Sequence, residues 1–87
     1  MLYAASEAFD VGDDAGRYAN MAKLLASEAA NAAADAAIQA FGGAAFDEES
    51  DVITLWPMIR LLRIAPVNNE MVLNYIAERV LRLPKSY

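Results

Sequence analysis

Cysteine and histidine are both absent from the 87 residues. That removes disulfide frameworks, a thiol nucleophile, an imidazole base and the usual ligand sets for zinc or haem. Most chemistries open to a small self-contained enzyme go with them. The missing cysteines assign no redox compartment, and nothing calls for an oxidising one. Basic residues are scarce early on: up to Asp51, ten acids stand against Arg17 and Lys23 alone. After Asp51, Glu70 and Glu78 face five bases, so the two parts carry opposite charge and attract each other. No Lys/Arg cluster with interleaved aromatics occurs, which argues against nucleic-acid binding. Met1-Leu2-Tyr3 leads to Glu7 and Asp10 without a basic n-region, so no signal peptide is expected. The longest bulky apolar stretch, Val52 to Pro66, is broken by Arg60 and Arg63 and is too short to span a bilayer. A soluble chain without membrane insertion is expected.

What the chain does have is apolar volume. Hydrophobic residues make up 57% and charged residues 22%, at a net charge of −5. Intrinsic disorder is thereby excluded, because it needs low apolar content and high charge. A chain this short buries only about 60 to 65% of its unfolded surface, so it needs an economical core or a partner.

The pattern along the chain is all-α, with no strand alternation and no internal repeat. Leu2 to Phe9 reads as a helical stub without a capping residue. Gly12 suits a helix C-terminus, and Asp13 or Asp14 suits the next N-cap. A long Ala-rich helix should then run to Phe41 and stop at Gly42-Gly43. Its bulky residues Tyr18, Met21 and Leu25 share one stripe, while Ala29 to Ala40 leaves a smooth surface. Ala44 to Ser50 reads as an acidic loop and Asp51 as a cap. Pro57 should kink the next helix or split it into two short pieces. Asn68 or Asn69 caps a last helix whose stripe is Val72, Tyr75, Ile76, Val80 and Leu83. The expected helices are 2–9, 14–41, 52–62 and 68–83, within one helical domain of residues 1–87.

The order of these features is more specific than an anonymous bundle. Met21-Ala22-Lys23-Leu24-Leu25-Ala26-Ser27-Glu28, the later Gln39-Ala40-Phe41-Gly42-Gly43, then Arg60-Leu61-Leu62-Arg63-Ile64 and Ile76-Ala77-Glu78-Arg79-Val80-Leu81 closely resemble the C-terminal end of acyl-CoA dehydrogenases. The resemblance covers nearly the whole chain, and the Gln-Xaa-Xaa-Gly-Gly ending of the long helix is its most specific feature. It implies a flavoenzyme of several hundred residues whose C-terminal part is an antiparallel four-helix bundle. These 87 residues would supply the end of the second bundle helix, the third, a connecting helix and the last. The chain therefore reads as a piece of a longer protein.

Residue roles follow as what the resemblance implies. Gln39, Gly42 and Gly43 match the segment that contacts FAD held mainly by the neighbouring subunit. Successive glycines let a phosphate or adenine approach bare backbone, and Gln39 offers an amide donor and acceptor. Asn68, Asn69 and Glu70 match a second FAD-binding segment, and Val67 would approach the substrate thioester. Pro66 stands where many members carry the glutamate base and cannot take a proton, so no catalytic residue is assigned in this chain. The base would lie on the first bundle helix, or the parent would be a non-dehydrogenating relative. The parent would use acyl-CoA, FAD and an electron-transfer flavoprotein, and would assemble as a dimer or dimer of dimers. Its expected location is the cytoplasm, or the mitochondrial matrix in a eukaryote. The rival, from another class, is a stand-alone helical self-association module without ligand or activity.

The remaining acids have simpler readings. Asp47, Glu48, Glu49 and Asp51 form a like-charge run, most simply a solvated face. Glu28 and Asp35 share a helix face, but no His completes a metal site, and none is expected. Glu28 beside Lys23, and Glu78 with Arg82, suit surface pairing worth a few tenths of a kcal/mol. Phe41, Trp56 and Tyr75 read as core residues. Arg60 and Arg63 either meet partner carboxylates or carbonyls or extend to solvent.

Overall fold

A computed structural model describes residues 1–85. Among them the chain is entirely helical: α1 (Leu2–Asp10), α2 (Gly16–Phe41), a 3₁₀ turn (Gly42–Phe46), α3 (Asp51–Leu61), α4 (Asn69–Tyr75) and a π-helical turn (Ile76–Val80). The architecture is an all-α helical bundle. The long α2 is its spine, and α1, α3 and α4 with its π turn all pack along it.

The ends of these helices follow from local chemistry. Gly12 closes α1 at φ +76, with its N–H on Phe9 O and the Asp13 N–H on Ala8 O. Those two bonds satisfy carbonyls that the helix end leaves free, and the left-handed residue between them costs glycine little. The N-cap of α2 is Ala15 and not the expected Asp13 or Asp14, although Asp14 Oδ1 accepts the Gly16 N–H at 2.9 Å just before the first turn. For α3 the cap is Ser50, whose Oγ accepts the Val52 N–H, and not Asp51, which is the first helical residue. Asp51 in its first turn and Arg60 in its last suit the helix dipole.

Several expectations are corrected here. Pro57 does not split α3, which runs as one helix through it. The amide of Asn31 on α2 braces the far end of α3 by donating to Ile59 O at 3.0 Å. The start of the acidic loop is not loop at all: Ala44 to Phe46 continue the 3₁₀ turn, and Ala45 is fully buried. The last helix is regular only to Tyr75. It then widens, with Leu81 N–H donating to Ile76 O and Leu83 N–H reaching back to Ala77 O. Arg82 sits at φ +56, and the expected Glu78–Arg82 pair is not formed among the described residues.

The core is small because the largest side chain that is fully buried is Val72. Ala8, Ala34 and Ala45 complete the buried apolar set among the described residues. Phe41 and Trp56, expected inside, lie exposed, and α3 buries no residue at all. The radius of gyration is 16.3 Å, against roughly 12 Å for a compact chain of this length. Accessible surface is 6491 Å², against roughly 5,000 Å² for a compact monomer of this mass. The helices form correctly, but much of their apolar surface has nothing on it.

Candidate functional site

The residues singled out in the sequence fall in two places. Gln39, Gly42 and Gly43 stand together, all exposed, where α2 gives way to the 3₁₀ turn. Gly42 sits at φ +62 and ψ −141, a conformation essentially reserved for glycine. A Cβ added at either glycine would meet nothing within 4 Å. The backbone there is bare and faces open space.

The other group, Pro66 to Glu70, lies in the link between α3 and α4. Ala65-Pro66 is a cis peptide bond. Pro66, Val67, Asn68 and Glu70 are exposed, whereas Asn69 is buried. Asn68 is the N-cap of α4, its Oδ1 accepting the Met71 N–H at 2.9 Å. Asn69 points the other way, into α2. Its Nδ2 donates to Ser27 Oγ at 3.0 Å and to Glu28 Oε1 at 2.9 Å, and its Oδ1 accepts from Lys23 Nζ. Its backbone N–H donates to Arg63 O at 3.0 Å.

These two groups are not brought together. Asn69 meets α2 at Ser27, twelve residues before Gln39, which at 1.5 Å per residue is about 18 Å along the helix. What the fold does assemble is a polar network of Lys23, Ser27, Glu28, Arg63 and Asn69. Arg63 Nε donates to Glu28 Oε1 at 3.1 Å, which gives Glu28 an interhelical partner in place of the expected Lys23. Lys23 instead donates to Val67 O at 2.7 Å. The signal that could have found this network was faint: Lys23, Ser27 and Glu28 at helical spacing among the several polar residues of α2.

Two openings flank the network. A cleft of about 800 Å³ is lined by Asp14, Arg17, Asn20, Val67, Tyr75 and Glu78, among others. Oε1 of Glu78 is buried with no hydrogen-bond partner among the described residues. A smaller one of about 340 Å³ is lined by Arg60, Asp35 and Trp56, among others. No group of acidic side chains among the described residues is arranged to hold a metal ion, and no helix there is long and apolar enough to cross a membrane. The acidic run at Asp47 to Asp51 is exposed apart from Ser50.

A family model described as the acyl-CoA dehydrogenase C-terminal domain matches residues 1–81. The chain belongs to that family. Acyl-CoA dehydrogenase FadE12 of Mycobacterium tuberculosis (strain H37Rv) is 45% identical over 89 aligned positions, covering all of this chain and 23% of the relative. FadE12 of Mycobacterium bovis gives the same figures. The chain thus spans about a quarter of the length of the curated relatives it matches. No solved structure gives a significant match. Within an acyl-CoA dehydrogenase C-terminal domain, the bare surface of α3 and the exposed Phe41 and Trp56 have a physical explanation: a bundle helix needs neighbours on its apolar face.

Proposed function

We propose that this chain is the C-terminal part of an FAD-dependent acyl-CoA dehydrogenase, an enzyme that oxidises the Cα–Cβ bond of an acyl thioester. In this reading it helps hold FAD across a subunit interface and helps the subunits assemble. The observation that carries it is the family match over residues 1–81, with an exposed Gly42-Gly43 backbone at the matching helix end. The chemistry of that segment fits the cofactor, because open space beside both glycines lets a phosphate or adenine reach the main chain, with the Gln39 amide one turn earlier.

FAD, when bound, supplies the acceptor for the β-hydride. This chain's own residues bind and orient. Gln39, Gly42 and Gly43 grip the cofactor from across the interface, Asn68 and Glu70 border its adenosine end, and Val67 approaches the thioester. Asn69, whose amide is engaged with α2, acts there by fixing the start of α4. Pro66 leaves the α-proton to a base outside these residues. Electrons leave to an electron-transfer flavoprotein, and the enzyme works in the cytoplasm or, in a eukaryote, the mitochondrial matrix.

A chimera tests this. The C-terminal quarter of M. tuberculosis FadE12 is replaced by the present chain, and bound flavin and acyl-CoA-dependent reduction of an artificial acceptor are measured. Flavin retention with turnover is expected. A soluble chimera of native assembly size that carries no flavin would sink the reading.

A further inference from the structure

The tip of the α3–α4 link has little of its own to hold it in place. Pro66 has no N–H to donate. The Ala65 N–H is taken by Leu61 O on one side, and the Asn69 N–H by Arg63 O on the other. Asn68 turns its side chain forward to cap α4. Beside it lies a gap of about 150 Å³, lined by Ala19, Asn20 and Lys23 of α2 and by Pro66, Val67 and Val72. Lys23 crosses at that gap, its ammonium donating to Val67 O at 2.7 Å.

Two further features make Lys23 a defined strut and not a loose surface lysine. Its second bond, to Asn69 Oδ1, fixes where the ammonium sits, and Asn69 is itself anchored by Ser27 and Glu28. A charged donor on a carbonyl is also roughly twice as strong as a neutral pair. Val67 forms part of the wall of the 800 Å³ cleft beside Met71 and Tyr75. Holding the Val67 carbonyl therefore holds the backbone of a residue that lines the cleft.

We propose that Lys23 is a positioning residue: through the Val67 carbonyl it fixes the Pro66–Val67 tip, and so sets the affinity for the acyl thioester. This rests on the function proposed above. The test uses the flavin-loaded enzyme carrying this chain as its C-terminal quarter. Lys23→Met should raise KM for acyl-CoA about tenfold, with kcat within about twofold, the pattern of binding lost equally from the ground and transition states. Flavin content should be unchanged, and Lys23→Arg, which still reaches a carbonyl with a charged donor, should recover most of the loss. In the chain itself, Lys23→Met should speed amide exchange at Val67 and Asn68 while leaving α1 unchanged. An unchanged KM in Lys23→Met overturns the proposal. So does a parallel loss of flavin and thermal stability that Lys23→Arg shares, since that is a purely structural role. A wild-type enzyme that binds no flavin defeats the proposed function first, and this inference with it.

Discussion

Asn69 Nδ2 donates to Ser27 Oγ at 3.0 Å across the α2–α4 contact, and both residues are only 4% exposed. They are the buried polar residues among those described. Buried amides persist when their donors and acceptors are matched, and Asn69 is matched on both sides of its amide.

Asn69→Ala should therefore destabilise the chain more than Asn68→Ala does. The first change leaves Ser27, Glu28 and Lys23 short of a partner in or near the core, at a cost of roughly 1–3 kcal/mol. The second removes a solvent-exposed cap worth about 1 kcal/mol. Urea midpoints of the two variants at one protein concentration decide it. Equal midpoints would mean that the interhelical network contributes nothing beyond the cap.

The pairing of Glu28 with Arg63 is a weaker matter. Their side chains are 46% and 41% exposed, so water screens the charges. A double-mutant cycle on Glu28→Gln and Arg63→Met should give a coupling of about 0.2–1 kcal/mol that shrinks as salt is added. A coupling well above that range, insensitive to salt, would place the pair in a drier setting than its exposure indicates.

Those contacts also mark where sequence reasoning stopped. Gly12 and Asn68 were legible because each acts on backbone within five residues, and turn or cap chemistry is local. Glu28 and Arg63 are 35 residues apart, and Lys23 and Asn69 are 46 apart. Nothing in local spacing tells Glu28 to prefer Arg63 over the nearer Lys23. Pro57 was expected to kink or split α3, and the helix runs unsplit through it. Phe41 and Trp56 were assigned to a core by residue type, yet among the described residues both stay exposed. Gln39, Gly42 and Gly43 stood out only through their resemblance to a family motif.

Gly43→Val should lower flavin retention in the full enzyme without loosening the chain. The new side chain meets no atom of this chain within reach of its Cβ, so only a molecule approaching from outside would feel it. Ala32→Val, at an exposed position on α2, is the control, and Gly42→Val is a poor one because φ +62 strains any branched residue. Flavin absorbance per subunit is the readout. Equal flavin in the Gly43 and Ala32 variants would count against cofactor contact at this turn.

The 87-residue chain alone should oxidise no acyl-CoA, with or without added FAD. Pro66 cannot serve as a base, and the two groups that match cofactor segments are separated by about 18 Å along α2, from Ser27, where Asn69 docks, to Gln39. An assay with a dye acceptor and several acyl-CoA lengths checks this. Flavin-dependent turnover by the purified chain would require a base that the present assignment omits.

Left to itself, the chain should pair with another copy. Its 6491 Å² of accessible surface exceeds the compact-monomer expectation by roughly 1,500 Å². The excess is concentrated in large apolar side chains: on α3, Leu55, Met58 and Leu61 are each at least half exposed. Fully burying one such side chain is worth roughly 1.5–3 kcal/mol, so three or four left wet cost as much as the whole stability of a small domain. A stable dimer removes about 800 Å² from each partner, well within the excess available here. The smooth alanine surface of α2 also lets a second helix approach closely, and two-fold pairing is the commonest closed arrangement. Sedimentation at micromolar concentration should report a dimer or a dimer of dimers, and Met58→Glu with Leu61→Glu should shift it toward monomer with loss of helicity. A well-folded 9.4 kDa monomer at that concentration would show that the apolar face of α3 is tolerated in water.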